Sequence, residues 1–75
     1  MSRLPVISGQ DLIKYLIQKR GYTFSRQKGS HISLRSPDNK PVVIPNHPEL
    51  KTGTLLGILE IVGIDRDVFI QEYRS

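Results

Sequence analysis

The chain has 75 residues and a mass of 8.5 kDa, room for one small domain and too little for two, so residues 1–75 are read as a single domain. Hydrophobic residues make up 37%, enough for a thin core, and the absence of cysteine excludes disulfides, thiolate metal sites and thiol catalysis. The net charge of +4 and pI near 9.8 direct attention to anionic partners.

No unbroken apolar run exceeds three residues, which predicts no membrane span, and Met1-Ser2-Arg3-Leu4-Pro5 lacks the apolar segment of a signal peptide. The expectation is a soluble, cytoplasmic protein. Charge is unevenly spread. Residues 1–40 hold eight basic residues and two acids, a balance of +6, whereas residues 41–75 hold three basic residues and five acids. Between positions 19 and 35 lie Lys19, Arg20, Arg26, Lys28 and Arg35 with no carboxylate. Such a stretch attracts phosphate backbones, although basic residues also serve solubility alone.

The first element is a helix over about 9–20. Ser8 stands at its cap with Asp11 three residues later, and Ile7 and Leu12 occupy the hydrophobic-staple positions. Leu12, Ile13, Leu16 and Ile17 recur at helical spacing, Lys19 and Arg20 suit the negative end of the dipole, and Gly21 terminates. The period then becomes two. Tyr22 and Phe24 alternate with Thr23 and Ser25, the pattern of a half-buried strand, with core packing favoured over base stacking for the two rings. Gln27-Lys28-Gly29 reads as a turn. Ser30, Ile32 and Leu34 share one face of a second strand, and His31, Ser33 and Arg35 the other. Ser36 to Lys40 is a turn, and Val42-Val43-Ile44 a third strand closed by Pro45 and Pro48. Thr52 or Thr54 can cap a helix with Leu55, Leu56, Ile58, Leu59 and Val62 inward, ended by Gly63. Asp65 can cap a last short helix with Val68, Phe69 and Tyr73 inward. The fold class is α+β, in the order α-β-β-β-α with a helical appendage: a three-stranded antiparallel sheet with the helices packed on one face and the other face open.

His31, on the open face and near Arg26, Lys28 and Arg35 in sequence, is the candidate for chemistry. RNA cleavage needs a base for the ribose 2′-hydroxyl, cations for the phosphoryl oxygens and a proton for the leaving 5′-oxygen, and histidine carries protons at physiological pH. The plain alternative is an ordinary strand histidine. Gly29 permits a positive φ and close approach of a phosphate, while Ser30 is by alternation a core-edge hydroxyl. His47, held between Pro45 and Pro48, is either a general acid or a loop residue bonded to backbone. The two histidines lack zinc-type spacing, so neither a metal nor a cofactor is expected.

The sequence resembles the HicA toxins of prokaryotic HicA–HicB toxin–antitoxin pairs. The likeness rests on Leu4-Pro5-Val6, Gly21-Tyr22, Arg26-Gln27-Lys28-Gly29-Ser30-His31, Val43-Ile44-Pro45-Asn46-His47, Leu50 through Leu55, Ile58-Leu59, Gly63-Ile64 and Phe69. The resemblance implies a double-stranded-RNA-binding-like fold and a metal-independent endoribonuclease that cleaves mRNA and arrests translation. It implies that the histidine of the Gly-Ser-His motif, here His31, is catalytic, and that a HicB-like antitoxin binds the toxin and blocks this face. Arg26, Lys28, Gly29, Ser30 and Arg35 are the expected phosphate- and RNA-binding residues around it. The segment Glu49-Leu50-Lys51-Thr52-Gly53-Thr54, leading into the helix after the third strand, lacks the lysine cluster with which duplex-binding domains grip phosphates, which argues against stable duplex binding. The alternative function is a non-catalytic RNA-binding module using the same basic face.

Overall fold

The structure, a computed structural model, describes residues 3–75. The chain runs through α1 (Gly9–Arg20), β1 (Thr23–Lys28), β2 (His31–Arg35), β3 (Pro41–Pro45), α2 (Thr52–Val62) and α3 (Arg66–Arg74). The expected α+β order, three antiparallel strands between helices, is the observed one.

Local chemistry sets the boundaries. The Ser8 hydroxyl accepts from the Asp11 amide at 3.0 Å, Ile7 and Leu12 are both buried beside that cap, and Gly21 closes α1 at φ 71°. The Asp65 carboxylate accepts from the amides of Asp67 and Val68 and starts α3. Neither threonine caps α2. Lys51 occupies its cap position and supplies no side-chain hydrogen bond, and Thr52 already lies inside the helix. Pro41 and Pro45 bracket β3, where a missing donor is tolerated because β3 is an edge strand.

The sheet order is β1-β2-β3, which makes β2 the central strand. Its alternation is strict: Ile32 and Leu34 are buried, with Val42 and Ile44 paired opposite Leu34 and Ile32 on β3. These four join Leu12, Leu16, Leu55 and Leu59 in one continuous core on the helical side. His31, Ser33 and Arg35 therefore point to the uncovered side.

β1 departs from expectation. Every one of its residues is exposed, and Phe24, expected in the core, is 57% exposed while its neighbour Tyr22 is buried. Phe24 pairs with Leu34 and so lies on the helical side of the sheet, but β1 is the outer strand and its apolar partners lie on β2 and β3. A bulge between Phe24 and Arg26 then breaks the alternation. Leu56 and Val68, expected inward, also lie outside the buried set, as does Ile17.

Tyr15, absent from the stripe read for α1, is buried and joins α1 to α3. Its ring meets the fully buried Phe69 edge-to-face with centroids 4.9 Å apart, and Phe69 stacks on Tyr73. The Tyr15 hydroxyl donates to Glu72 Oε1 at 2.7 Å, and Arg20 donates to the same oxygen through Nε at 3.0 Å and lies 2.8 Å away through Nη2. Burial, then the bond to Glu72, raises the Tyr15 pKa. The hydrogen bond from Tyr15, followed by the charge of Arg20, holds the Glu72 carboxyl below its ordinary value.

Because that carboxyl titrates lower in the folded chain, its contribution is complete above the ordinary glutamate pKa and disappears as pH falls through the folded-state value. Thermal melts of Glu72→Gln should thus show a lower midpoint than the native chain at pH 7, and the two midpoints should converge in acid. A second prediction concerns Gly9, where a Cβ would collide with the Pro45 carbonyl oxygen. Helix propensity alone favours alanine by about 1 kcal/mol. Gly9→Ala should instead destabilise by roughly 1–3 kcal/mol, read by denaturant titration, because α1 must move off the end of β3.

Candidate nucleic-acid interface

The open face is built around the β1–β2 hairpin. Lys28 pairs with His31, which leaves Gly29-Ser30 as a two-residue connection rather than the turn at 27–29 that the sequence suggests. Gly29 has φ 59°, the positive value that such tight turns require at their first position. Ser30 thus sits in the turn, exposed, and not at a core edge. The Gln27 side-chain Nε2 donates to the Gly29 carbonyl at 3.0 Å, and the Asn46 backbone amide donates to the Ser30 carbonyl at 2.6 Å, so the turn is braced from both sides. Nothing in the sequence pattern marks Gln27 for this role.

Alternation then places side chains. Arg26 pairs with Ser33 and Lys28 with His31, so all four share the open face. Arg26, Lys28, Gly29, Ser30, His31, Ser33 and Val43 line one open depression. Val43, half exposed on β3, provides its apolar wall. The run Val42-Val43-Ile44 conceals this in sequence, because only pairing shows which of three apolar residues faces out. The three strands contain no aspartate or glutamate. Neither Arg26 nor Lys28 enters a salt bridge among the described residues, and their charges are free to act on a ligand.

Two of the expected site residues stand apart. Arg35 is at the far end of β2, opposite Thr23 and Pro41, and its Nη1 donates to the Asn39 carbonyl at 3.2 Å. His47 lies in the exposed loop after β3, where its carbonyl accepts from the Gly9 amide at 2.9 Å, and it does not line the depression. Among the described residues no three histidine, aspartate or glutamate side chains cluster as metal ligands. No helix among them is long and apolar enough to cross a membrane.

Chemically, the depression offers an accessible imidazole, an ammonium, a guanidinium and an unhindered backbone turn within one hairpin. That set can move a proton and hold an oxyanion. Its geometry depends on Gly29, which has open space around it, so the backbone angle is the only obstacle to a side chain there. Gly29→Ala should cost roughly 1 kcal/mol in a thermal or denaturant melt through the left-handed backbone penalty.

The family model described as HicA toxin of bacterial toxin-antitoxin matches residues 9–64, most of the chain and all of the hairpin. No curated protein matches it.

Proposed function

Since the chain belongs to the HicA toxin family, and is thus the toxin of a toxin–antitoxin system that pairs with an antitoxin, we propose that it is an endoribonuclease that cleaves mRNA with His31 as the proton-transfer residue. The observation that carries this reading is the placement of exposed His31 in one depression with Arg26 and Lys28, on a strand face free of carboxylates.

The imidazole of His31 accepts the proton of a ribose 2′-hydroxyl. The 2′-oxygen attacks the adjacent phosphorus in line, the bond to the 5′-oxygen breaks, and a 2′,3′-cyclic phosphate forms. The leaving 5′-oxygen takes a proton from the imidazolium or from water, so protons balance without a metal ion. Lys28 and Arg26 stabilise the charge gathered on the phosphoryl oxygens. Gly29, without a side chain, lets the phosphate approach the turn, and the Ser30 hydroxyl is at hand beside it. His47, outside the depression, is not assigned the general-acid step. A HicB-like antitoxin covering this face would exclude RNA from it.

The test is purified protein incubated with mRNA, with cleavage read on a gel. His31→Ala should lower the rate about 10²–10⁴-fold, the usual worth of a positioned proton-transfer group. His47→Ala should remain within a few-fold of the native chain, and EDTA should leave the rate unchanged. Equal cleavage by the native chain and His31→Ala removes His31 from the mechanism. RNA that is bound and left intact by the native chain favours the non-catalytic binding module.

A further inference from the structure

The open sheet face has a second cationic pole that the proton-transfer site does not use. Arg35 and His31 lie on the same face of β2, four residues apart, which at about 3.3 Å per residue is roughly 13 Å. The guanidinium is held in place: Nη1 donates to the Asn39 carbonyl. That carbonyl is presented by a closed turn in which Ser36 and Lys40 bond backbone to backbone at 2.9 Å, the Asn39 amide donates to the Ser36 carbonyl at 2.8 Å, and the Lys40 amide donates to Ser36 Oγ at 3.0 Å. One donor engaged leaves the rest of the five-donor fork for an anion. The acid of the same turn, Asp38, lines a separate hollow with Tyr22, Ile61 and Val62 on the helical side.

We infer that Arg35 is a second phosphate-binding subsite, and that a single RNA strand runs along β2 from the scissile phosphate at His31 to a phosphate held by Arg35. The inference rests on the reading of this face as an RNA surface. Charge complementarity favours this occupant, because Lys28 and Arg26 on β1 and Arg35 on β2 form one diagonal row of cations with no acid in any strand. One row serves one backbone, and the duplex would bring a second line of phosphates with no partner. In-line attack also needs a freedom of the sugar–phosphate backbone that A-form pairing removes. At the stacked rise of about 3.4 Å per phosphate, the interval between the poles holds at most about four nucleotides.

The subsite makes the effect of Arg35 depend on substrate length. Binding of uncleavable 2′-O-methyl RNA to the full chain would be measured for a dinucleotide, by NMR titration, and for a dodecamer, by fluorescence anisotropy across a salt series. Arg35→Ala should weaken the dodecamer roughly tenfold, the loss of about one charge-assisted hydrogen bond, and lower its salt slope by about 0.7. The dinucleotide, too short to reach, should be unaffected. Arg35→Gln, which keeps a donor for Asn39 and removes the charge, should behave the same way and covers the case in which alanine disturbs the turn. No loss with the dodecamer, or equal loss at both lengths, overturns the subsite. Cleavage of mRNA by the native chain together with length-independent Arg35 variants overturns the subsite alone. A length-dependent loss in a chain that cuts no RNA overturns the nuclease reading and leaves the subsite standing.

Discussion

The register of the central strand governs everything else in this molecule. β2 has five residues, and two of them, Ile32 and Leu34, are buried in the core on the helical side of the sheet. Their burial contributes roughly 1.5–3 kcal/mol each, a large share of the stability of a domain this small. A slip of one residue would carry His31, Ser33 and Arg35 into the core and leave the two aliphatic side chains in water. The functional face is therefore specified by the hydrophobic one. No separate interaction has to aim the imidazole outward, because the packing energy of its neighbours already does so. The hairpin connection adds the other coordinate: with only Gly29 and Ser30 between the strands, Lys28 must lie beside His31.

Elements with strong local signals were legible in the sequence. Ser8, the staple pair Ile7 and Leu12, and Gly21 delimit α1 by interactions local to its two ends, and the bounds of the first helix agree with expectation, whereas its buried stripe takes in Tyr15 and leaves Ile17 exposed. β2 was legible for the same reason, since strict alternation needs no knowledge of partners. What escaped was decided at long range. Phe24 has the alternation of a core residue, but it belongs to the outer strand, and strand order is not written in local pattern. The Tyr15–Glu72 bond joins residues 57 apart in sequence, so Tyr15 reads as one more polar-tipped ring until α3 is folded back upon it.

The candidate site divides along the same line. Arg26, Lys28, Gly29, Ser30 and His31 are near each other in sequence and the hairpin keeps them together. Arg35 is as close to His31 in sequence as any helical neighbour would be, yet an extended strand separates them by roughly 13 Å. In a helix the same spacing of four would have stacked the two side chains on one face. Proximity along the chain thus becomes separation in space through the choice of secondary structure alone, and one basic cluster in sequence becomes two poles on the sheet.

The cations of β1 carry a second obligation. β1 is a fully exposed edge strand of six residues, with a free row of backbone donors and acceptors and an exposed phenylalanine, which is a template for pairing with another copy. Arg26 and Lys28 oppose such pairing by charge, and the bulge beside Arg26 interrupts the flat edge. The residues that draw phosphate are also those that keep the strand from joining its own kind. Neutralising Lys28 or Arg26 therefore changes two properties at once, and lost cleavage in such a variant carries information about the phosphate only where its state of association matches that of the native chain. His31 and Arg35 lie on the central strand, both edges of which are already paired. Their substitution alters the chemistry of the face without exposing an edge, which makes those two positions the cleaner probes of what the surface does.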